Sequence, residues 1–236
     1  MSSAAALVVP AVKRHTSTVI MAHGLGDSGA GWKFLPQTWR EKNKFQETKF
    51  VFPNAPSIPI TVNMGMRMPG WYNITELGDL ADRNVDERGI LQSKKVFHTL
   101  IDDEIKAGIS PERIVLGGFS QGGAMSLVAG VTNPTKLGGI FGLSCYLLLQ
   151  EKLQELVPAG SPNLTTPIFM GHGDADPLVR YEWGHKTSEK LKEWGWTVDF
   201  KTYKGLAHSA SLQELNDLEQ YLTKIIPDQG GDGQMV

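Results

Sequence analysis

Ser120 sits at the centre of Gly118-Phe119-Ser120-Gln121-Gly122, a Gly-x-Ser-x-Gly pattern between the apolar run Arg113-Ile114-Val115-Leu116 and an apolar stretch at 121–131. In a chain with 26 glycines among 236 residues, five residues alone are a weak signal. Their setting makes them a strong one. A strand that feeds a helix through a glycine-lined turn lifts a serine Oγ above the sheet and leaves the Gln121 N–H free at the helix start. A serine hydroxyl is a poor nucleophile until a base removes its proton, so the pattern calls for a histidine, held by a carboxylate, further along the chain.

Six histidines compete for the role of base. His15, His98 and His185 fall in the N-terminal segment or on expected helix surfaces, where a solvated side chain is the ordinary outcome. His208 differs, because Gly205-Leu206-Ala207-His208-Ser209 joins the last expected strand to the last expected helix, at the carboxyl end of the sheet where open α/β sites form. For the acid, Pro167-Ile168-Phe169-Met170 runs into Gly171-His172-Gly173-Asp174-Ala175-Asp176-Pro177-Leu178-Val179 at another strand's carboxyl end. Spacing alone leaves Asp174 and Asp176 equal. The order serine, aspartate, histidine is that of α/β hydrolases rather than of chymotrypsin or subtilisin. A metal reading of His172, Asp174 and Asp176 has no second His/Cys cluster behind it, and the expected chemistry calls for neither metal nor cofactor.

Acyl transfer through a tetrahedral intermediate also needs two convergent donors for the oxyanion, each contributing roughly 3–4 kcal/mol in the transition state. Gln121 N–H is one. The second is expected from Leu25, because His23-Gly24-Leu25-Gly26-Asp27-Ser28-Gly29 directly follows the run Thr18-Val19-Ile20-Met21-Ala22 and its glycines permit a tight backbone.

These residues must be carried by an α/β fold. Continuous apolar runs at 18–22, 50–52, 113–116, 139–143 and 167–170 read as buried parallel strands, and the alternating run at 198–203 reads as a strand near a sheet edge. Helices are expected at 86–107, where Ile90, Phe97, Ile101 and Ile105 recur at helical spacing, and at 121–131, 181–194 and 211–226. The expected architecture is a doubly wound, mostly parallel sheet with helices on both faces and a minimal cap. It forms a single domain over 1–227, with 1–14 a flexible lead-in and 228–236 a disordered tail. The stretch 53–77 reads as irregular, since Pro53, Pro56, Pro59 and Pro69 interrupt it while Met64, Met66, Met68, Trp71 and Tyr72 add apolar bulk. Long loops of that kind are usually functional.

Composition narrows the function further. With 23 Lys+Arg against 25 Asp+Glu and no basic block, nucleic acid is an unlikely partner. Nothing reaches the length of a membrane span, and the single Cys145 fits a reducing compartment.

Taken together, these segments resemble the acyl-protein thioesterase and lysophospholipase/carboxylesterase family of α/β hydrolases over most of the chain. His23-Gly24-Leu25-Gly26-Asp27 with Gly31-Trp32 is similar to its oxyanion loop, and Pro53-Asn54-Ala55-Pro56 with Met68-Pro69-Gly70-Trp71-Tyr72 to its acyl-binding insertion. Gly117-Gly118-Phe119-Ser120-Gln121-Gly122-Gly123 is similar to its nucleophile elbow. The segment 172–179 resembles its acid loop, in which the second aspartate, here Asp176, orients the base, and His208 matches its general base. The chain departs from the family pattern at Asn73, where an aspartate is common, and at Tyr146 and Leu148.

The resemblance implies a serine hydrolase that removes fatty acyl groups, such as palmitoyl, from S-acylated protein cysteines through an acyl-enzyme, with weaker action on lysophospholipids and small esters. It implies Met66, Trp71, Leu77, Tyr146 and Leu178 as the wall of an acyl-binding groove. Its partners would be S-acylated proteins, such as palmitoylated G-protein α subunits or Ras-like GTPases, met at a transient membrane-surface contact, with a weak homodimer as a further association. The location implied is the cytoplasm, with the nucleus open. A general carboxylesterase or lysophospholipase is the alternative within the same chemistry; a non-catalytic acyl-binding protein is the alternative outside it.

Overall fold

Val19-Ile20-Met21-Ala22, Ile114-Val115-Leu116, Ile140-Phe141 and Ile168-Phe169-Met170 have no polar side to turn to water, so they require a sheet covered on both faces. The computed structural model, which describes residues 5–76 and 85–230, places them in β2 (Ser17–Ala22), β6 (Ile114–Phe119), β7 (Gly139–Leu143) and β8 (Ile168–Gly173). With β1 (Leu7–Val9), β3 (Thr48–Phe52) and β9 (Val198–Tyr203) they form a seven-stranded sheet in the order β1-β3-β2-β6-β7-β8-β9. Neighbours are parallel except β1, which runs antiparallel on β3.

Alternation along these strands feeds two cores. Ile20, Leu116, Ile140 and Met170 point to one face, where α2 (Glu87–Lys106), α3 (Gln121–Val131) and α5 (Tyr181–Glu193) bring Phe97, Leu127 and Leu191. Val19, Val115, Phe141 and Phe169 point to the other, where α1 (Phe34–Glu41) and α6 (Leu212–Ile225) bring Trp39, Leu218 and Leu222. The helical spacing expected on α2 is the buried one, with Ile90, Phe97 and Ile101 all 0% exposed. Asp86 caps that helix by accepting from the Gly89 N–H at 2.9 Å. The alternating strand β9 lies at the sheet edge, as its pattern predicts.

Several elements depart from the sequence expectation. The stretch expected to be irregular contains a hairpin, β4 (Ser57–Ile60) paired antiparallel with β5 (Met66–Pro69), with Pro59 and Pro69 inside the pairing. Prolines are tolerated there because a two-stranded ribbon has only edges. Helices α1 and α4 (Gln150–Leu156) were not anticipated, each being about two turns long. The lead-in expected to be flexible is bound through 7–13: β1 pairs with β3, and the N–H groups of Val12 and Lys13 donate to Gln46 O. An open β3 edge would expose a row of unpaired backbone groups, which β1 covers.

The tail expected to be disordered from 228 is likewise bonded through 228–230. Glu47, 1% exposed, accepts from the N–H groups of Gln229 and Gly230, while Asp228 accepts from those of Gln46 and Glu47. No helix among the described residues is long and apolar enough to cross a membrane.

Candidate active site

In the order β3-β2-β6 the chain turns to one side of β2 and then to the other, so the carboxyl ends of β2 and β6 flank a topological switch point. The Leu25 loop leaves β2 there and the Ser120 turn leaves β6. Ser120 adopts φ 53° and ψ −122°, a conformation sparsely populated by non-glycine residues and held here by its surroundings. Its N–H donates to Leu143 O at 2.8 Å and its carbonyl accepts from Ala124 N–H at 2.9 Å. The flanking glycines are a matter of space: a Cβ at Gly118 would stand 2.5 Å from Ala22 O, and one at Gly122 2.3 Å from the same atom. The motif's spacing thus records how closely α3 is drawn onto β2.

His208 reaches this turn from the loop between β9 and α6. Its Nε2 accepts from the Ser120 hydroxyl at 2.9 Å, and its Nδ1–H donates to Asp176 Oδ2 at 2.7 Å. The other carboxylate oxygen, Asp176 Oδ1, accepts from the N–H groups of Leu178 and Val179, both at 2.9 Å. Burial alone would push the Asp176 carboxyl up, but the bond from His208 and the Val179 and Leu178 amides outweigh it and hold it below the usual range. Asp174, which spacing left equal to Asp176, is exposed and accepts instead from Gly205 N–H at 2.5 Å. Phe119 packs against His208, the two rings 4.9 Å apart.

Among the described residues neither the Leu25 nor the Gln121 N–H is committed to a hydrogen bond. The Leu25 loop is held around that amide by Gly26 N–H to Pro69 O at 2.8 Å and Asp27 N–H to Gly24 O at 3.3 Å. Beneath it His23, fully buried, donates from Nδ1 to Gly24 O at 2.7 Å and accepts at Nε2 from Ala55 N–H at 3.1 Å. These two partners fix its tautomer, and burial lowers its pKa, so it sits as a neutral brace.

The phospholipase/carboxylesterase family profile matches residues 3–226. The chain belongs to that family. It is 54% identical to acyl-protein thioesterase 1 of Emericella nidulans over 97% of this chain and 98% of the relative. Against the Neurospora crassa protein of the same name it is 55% identical, over 94% and 91%. Among solved structures, Arabidopsis thaliana SOBER1 superposes with a TM-score of 0.83 at 33% identity, covering 89% of this chain and 99% of that one. Zea mays acyl-protein thioesterase 2 superposes with a TM-score of 0.81 at 28% identity, covering 94% and 98%. The fold is that of the α/β hydrolases.

For this family member the residues expected to wall the groove are dispersed. Met66, 59% exposed, and Leu178, 66% exposed, are available to a ligand. Trp71 and Tyr146 are largely buried, Trp71 edge-on to Phe97 and Tyr146 with its hydroxyl 3.1 Å from that of Tyr72, and each still borders a cavity, Trp71 a cleft beside the hairpin and Tyr146 a smaller one with Ile74 and Leu148. Leu77 lies outside the described residues. Beside Trp71 a cleft of about 460 Å³ opens between the β4–β5 hairpin and α2, with Pro56, Ile58, Tyr72 and Val96 in its lining.

Sequence reasoning missed what the Gln121 side chain does. Its Oε1 accepts from Trp71 N–H and its Nε2 donates to Tyr72 O, both at 2.7 Å, so one amide clamps the insertion onto the start of α3. Only its place beside Ser120 hinted at a role. Asn73, the departure from the family aspartate, accepts from Thr61 N–H and donates to Thr61 Oγ1, both at 2.8 Å. That exchange suits an amide, which donates and accepts at once.

Proposed function

We propose that this chain is a serine hydrolase of the acyl-protein thioesterase type, with Ser120 as nucleophile, His208 as general base and Asp176 as its orienting acid. The observation that carries the reading is the continuous hydrogen-bonded path from Ser120 Oγ through His208 to Asp176, beside two uncommitted amides. His208 takes the Ser120 proton as Oγ attacks the acyl carbonyl. The imidazolium is stabilised by Asp176, and the N–H groups of Leu25 and Gln121 receive the oxyanion. Collapse expels the cysteine sulfur, which takes up the proton held by His208 as it departs; water then attacks the acyl-enzyme with the freed His208 again as base, and Ser120 recovers a proton from His208 as the fatty acid leaves. A thiolate, with a conjugate acid pKa of about 8.5, leaves with little help from His208, so the same groups serve thioesters and oxyesters.

The substrate follows from the relatives and from the apolar ground beside the site. Each methylene withdrawn from lipid needs about 0.8 kcal/mol of replacement burial, which an acyl chain would find along the hairpin and its cleft, while Met66 on the hairpin and Leu178 beside Asp176 offer further exposed apolar surface. We assign the reaction to S-acylated proteins, palmitoylated GTPases among them, with lysophospholipids as secondary substrates. The buried free Cys145 accords with a cytoplasmic setting.

The test compares wild type with Ser120→Ala on a palmitoyl-cysteine peptide and on a lysophospholipid at matched monomer concentration. A Ser120-dependent preference for the thioester is expected. Preference for the lysolipid would make the chain a lipid-processing esterase, and undiminished turnover by Ser120→Ala would remove Ser120 from the mechanism.

A further inference from the structure

Glu214 is a buried acid that the mechanism above leaves unused. It lies in the first turn of α6, just past His208, is 0% exposed, and among the described residues neither carboxyl oxygen meets a hydrogen-bond partner. Its backbone is fixed, because its N–H donates to the Ser211 hydroxyl that caps the helix at 3.1 Å. The carboxyl rests directly on the backbone of β8: a Cβ at Gly171 would stand 2.3 Å from Glu214 Oε1. Gly171 O also accepts from Ser144 N–H at 2.8 Å, and the Ser144 hydroxyl is likewise buried without a partner. An acid and a hydroxyl, both buried, therefore flank one residue of the strand that runs on into Asp176.

Burial pushes the Glu214 carboxyl up to about 8; the Ser211 backbone pulls the other way, and the charges of Asp176 and Asp217 add to the rise. The groups that face it are Asp176 from the acid loop, Asp217 from its own helix, Tyr203 from β9 and Cys145 from the turn after β7. Asp217 is itself occupied, accepting from the Tyr203 hydroxyl at 3.0 Å and pairing with Lys201 at 3.2 Å. Around neutrality Glu214 is a neutral acid that adds no charge beside Asp176. Above about 8 it becomes a second carboxylate in the neighbourhood of Asp176.

We propose that Glu214 is a positioning residue of this site: seated on the strand that carries Asp176, its carboxyl acts through Asp176 on the proton transfer from Ser120 to His208. The proposal rests on the triad reading above. Once ionised, Glu214 favours the imidazolium that forms at His208 during attack, as any nearby fixed negative charge does. Wild-type kcat/KM therefore has a second rise, of roughly three- to tenfold, as pH passes through about 8.

The experiment measures kcat/KM from pH 5.5 to 9.5 on a soluble short-chain thioester for wild type, Glu214→Gln and Ser120→Ala. Glu214→Gln keeps the volume and removes the ionisable proton, so the second rise should vanish while the neutral-pH rate stays within about threefold of wild type. A Glu214→Gln profile that parallels wild type at every pH overturns the proposal, as does a wild-type profile with no second rise. Activity retained by Ser120→Ala overturns the triad reading instead, so the two failures are distinguishable. Where Glu214→Gln does not fold, the wild-type protein decides: the His208 Nδ1 proton resonance should show a step near pH 8, and its absence overturns the proposal.

Discussion

Ser120, Asp176 and His208 stand on turns that follow directly from β6, β8 and β9, whereas Trp71 and Tyr72 reach the same end of the sheet from an insertion held by side-chain amides. The first region takes its geometry from strand register. Phe119 pairs with Leu143, whose carbonyl holds Ser120, and Gly173 pairs with Tyr203, so the elbow, acid and base loops start from adjacent rungs. The second region depends on Gln121 holding Trp71 and Tyr72, on Asn73 holding Thr61, and on Asp86, which accepts from Asn73 N–H at 3.0 Å while capping α2. On the proposed reading, the chemistry is built on the sheet, and contact with the acyl chain falls to a part that a few side-chain bonds secure.

Three substitutions would break or sharpen that contrast. The largest effect is expected from Asp176→Asn, which turns an amide nitrogen or a second tautomer toward His208 and should lower kcat about 10⁴-fold. The fall should be equal on short-chain and long-chain acyl substrates. A loss under about a hundredfold, read by steady-state kinetics, would place the orienting group elsewhere.

Gln121→Ala should come next, because it takes the acceptor from the buried Trp71 N–H and removes the bond from the Gln121 amide to Tyr72 O, at about 1–3 kcal/mol in urea unfolding. Its backbone N–H remains, so the KM for long-chain substrates should rise while kcat on a short ester changes little. If kcat falls alike on both, the insertion and the catalytic turn are one unit and the contrast fails. Asn73→Asp should be the mildest, at about 1 kcal/mol, since it keeps the acceptor for Thr61 N–H, gives up the donor and sets a second carboxylate near Asp86. Equilibrium denaturation checks it, and turnover should be unaffected.

Legibility in the sequence follows the same division. The strands β7 and β9 and the helix α3 occupy the ranges their patterns indicate, because a run such as Gly139-Ile140-Phe141-Gly142-Leu143 has one physical use. Ser120 and His208 were findable because each follows such an element directly. Asp176 was separable from Asp174 only by resemblance, since the separation depends on which carboxylate turns inward. The β4–β5 hairpin was hidden by its prolines, α1 by Pro36 and its polar residues, and α4 by having too few residues to show a period. Glu214 reads from sequence as an ordinary third residue of a capped helix; that it lies buried on Gly171 is a tertiary fact. Trp71 and Tyr146, which the resemblance places at a groove wall, are at once largely buried and cavity-lining, a double role that only the packing reveals.

The bonds around Glu47 have a mechanical consequence. Val12 and Lys13, near the start of the chain, and Asp228 to Gly230, near its end, are fastened to the same two residues, Gln46 and Glu47. Tension applied between the ends would load this clasp first and leave the strands that carry Ser120, Asp176 and His208 slack. The described ends lie on one side of the molecule, as a circular permutation requires, so a short linker there with new termini opened in a surface turn should preserve the sheet.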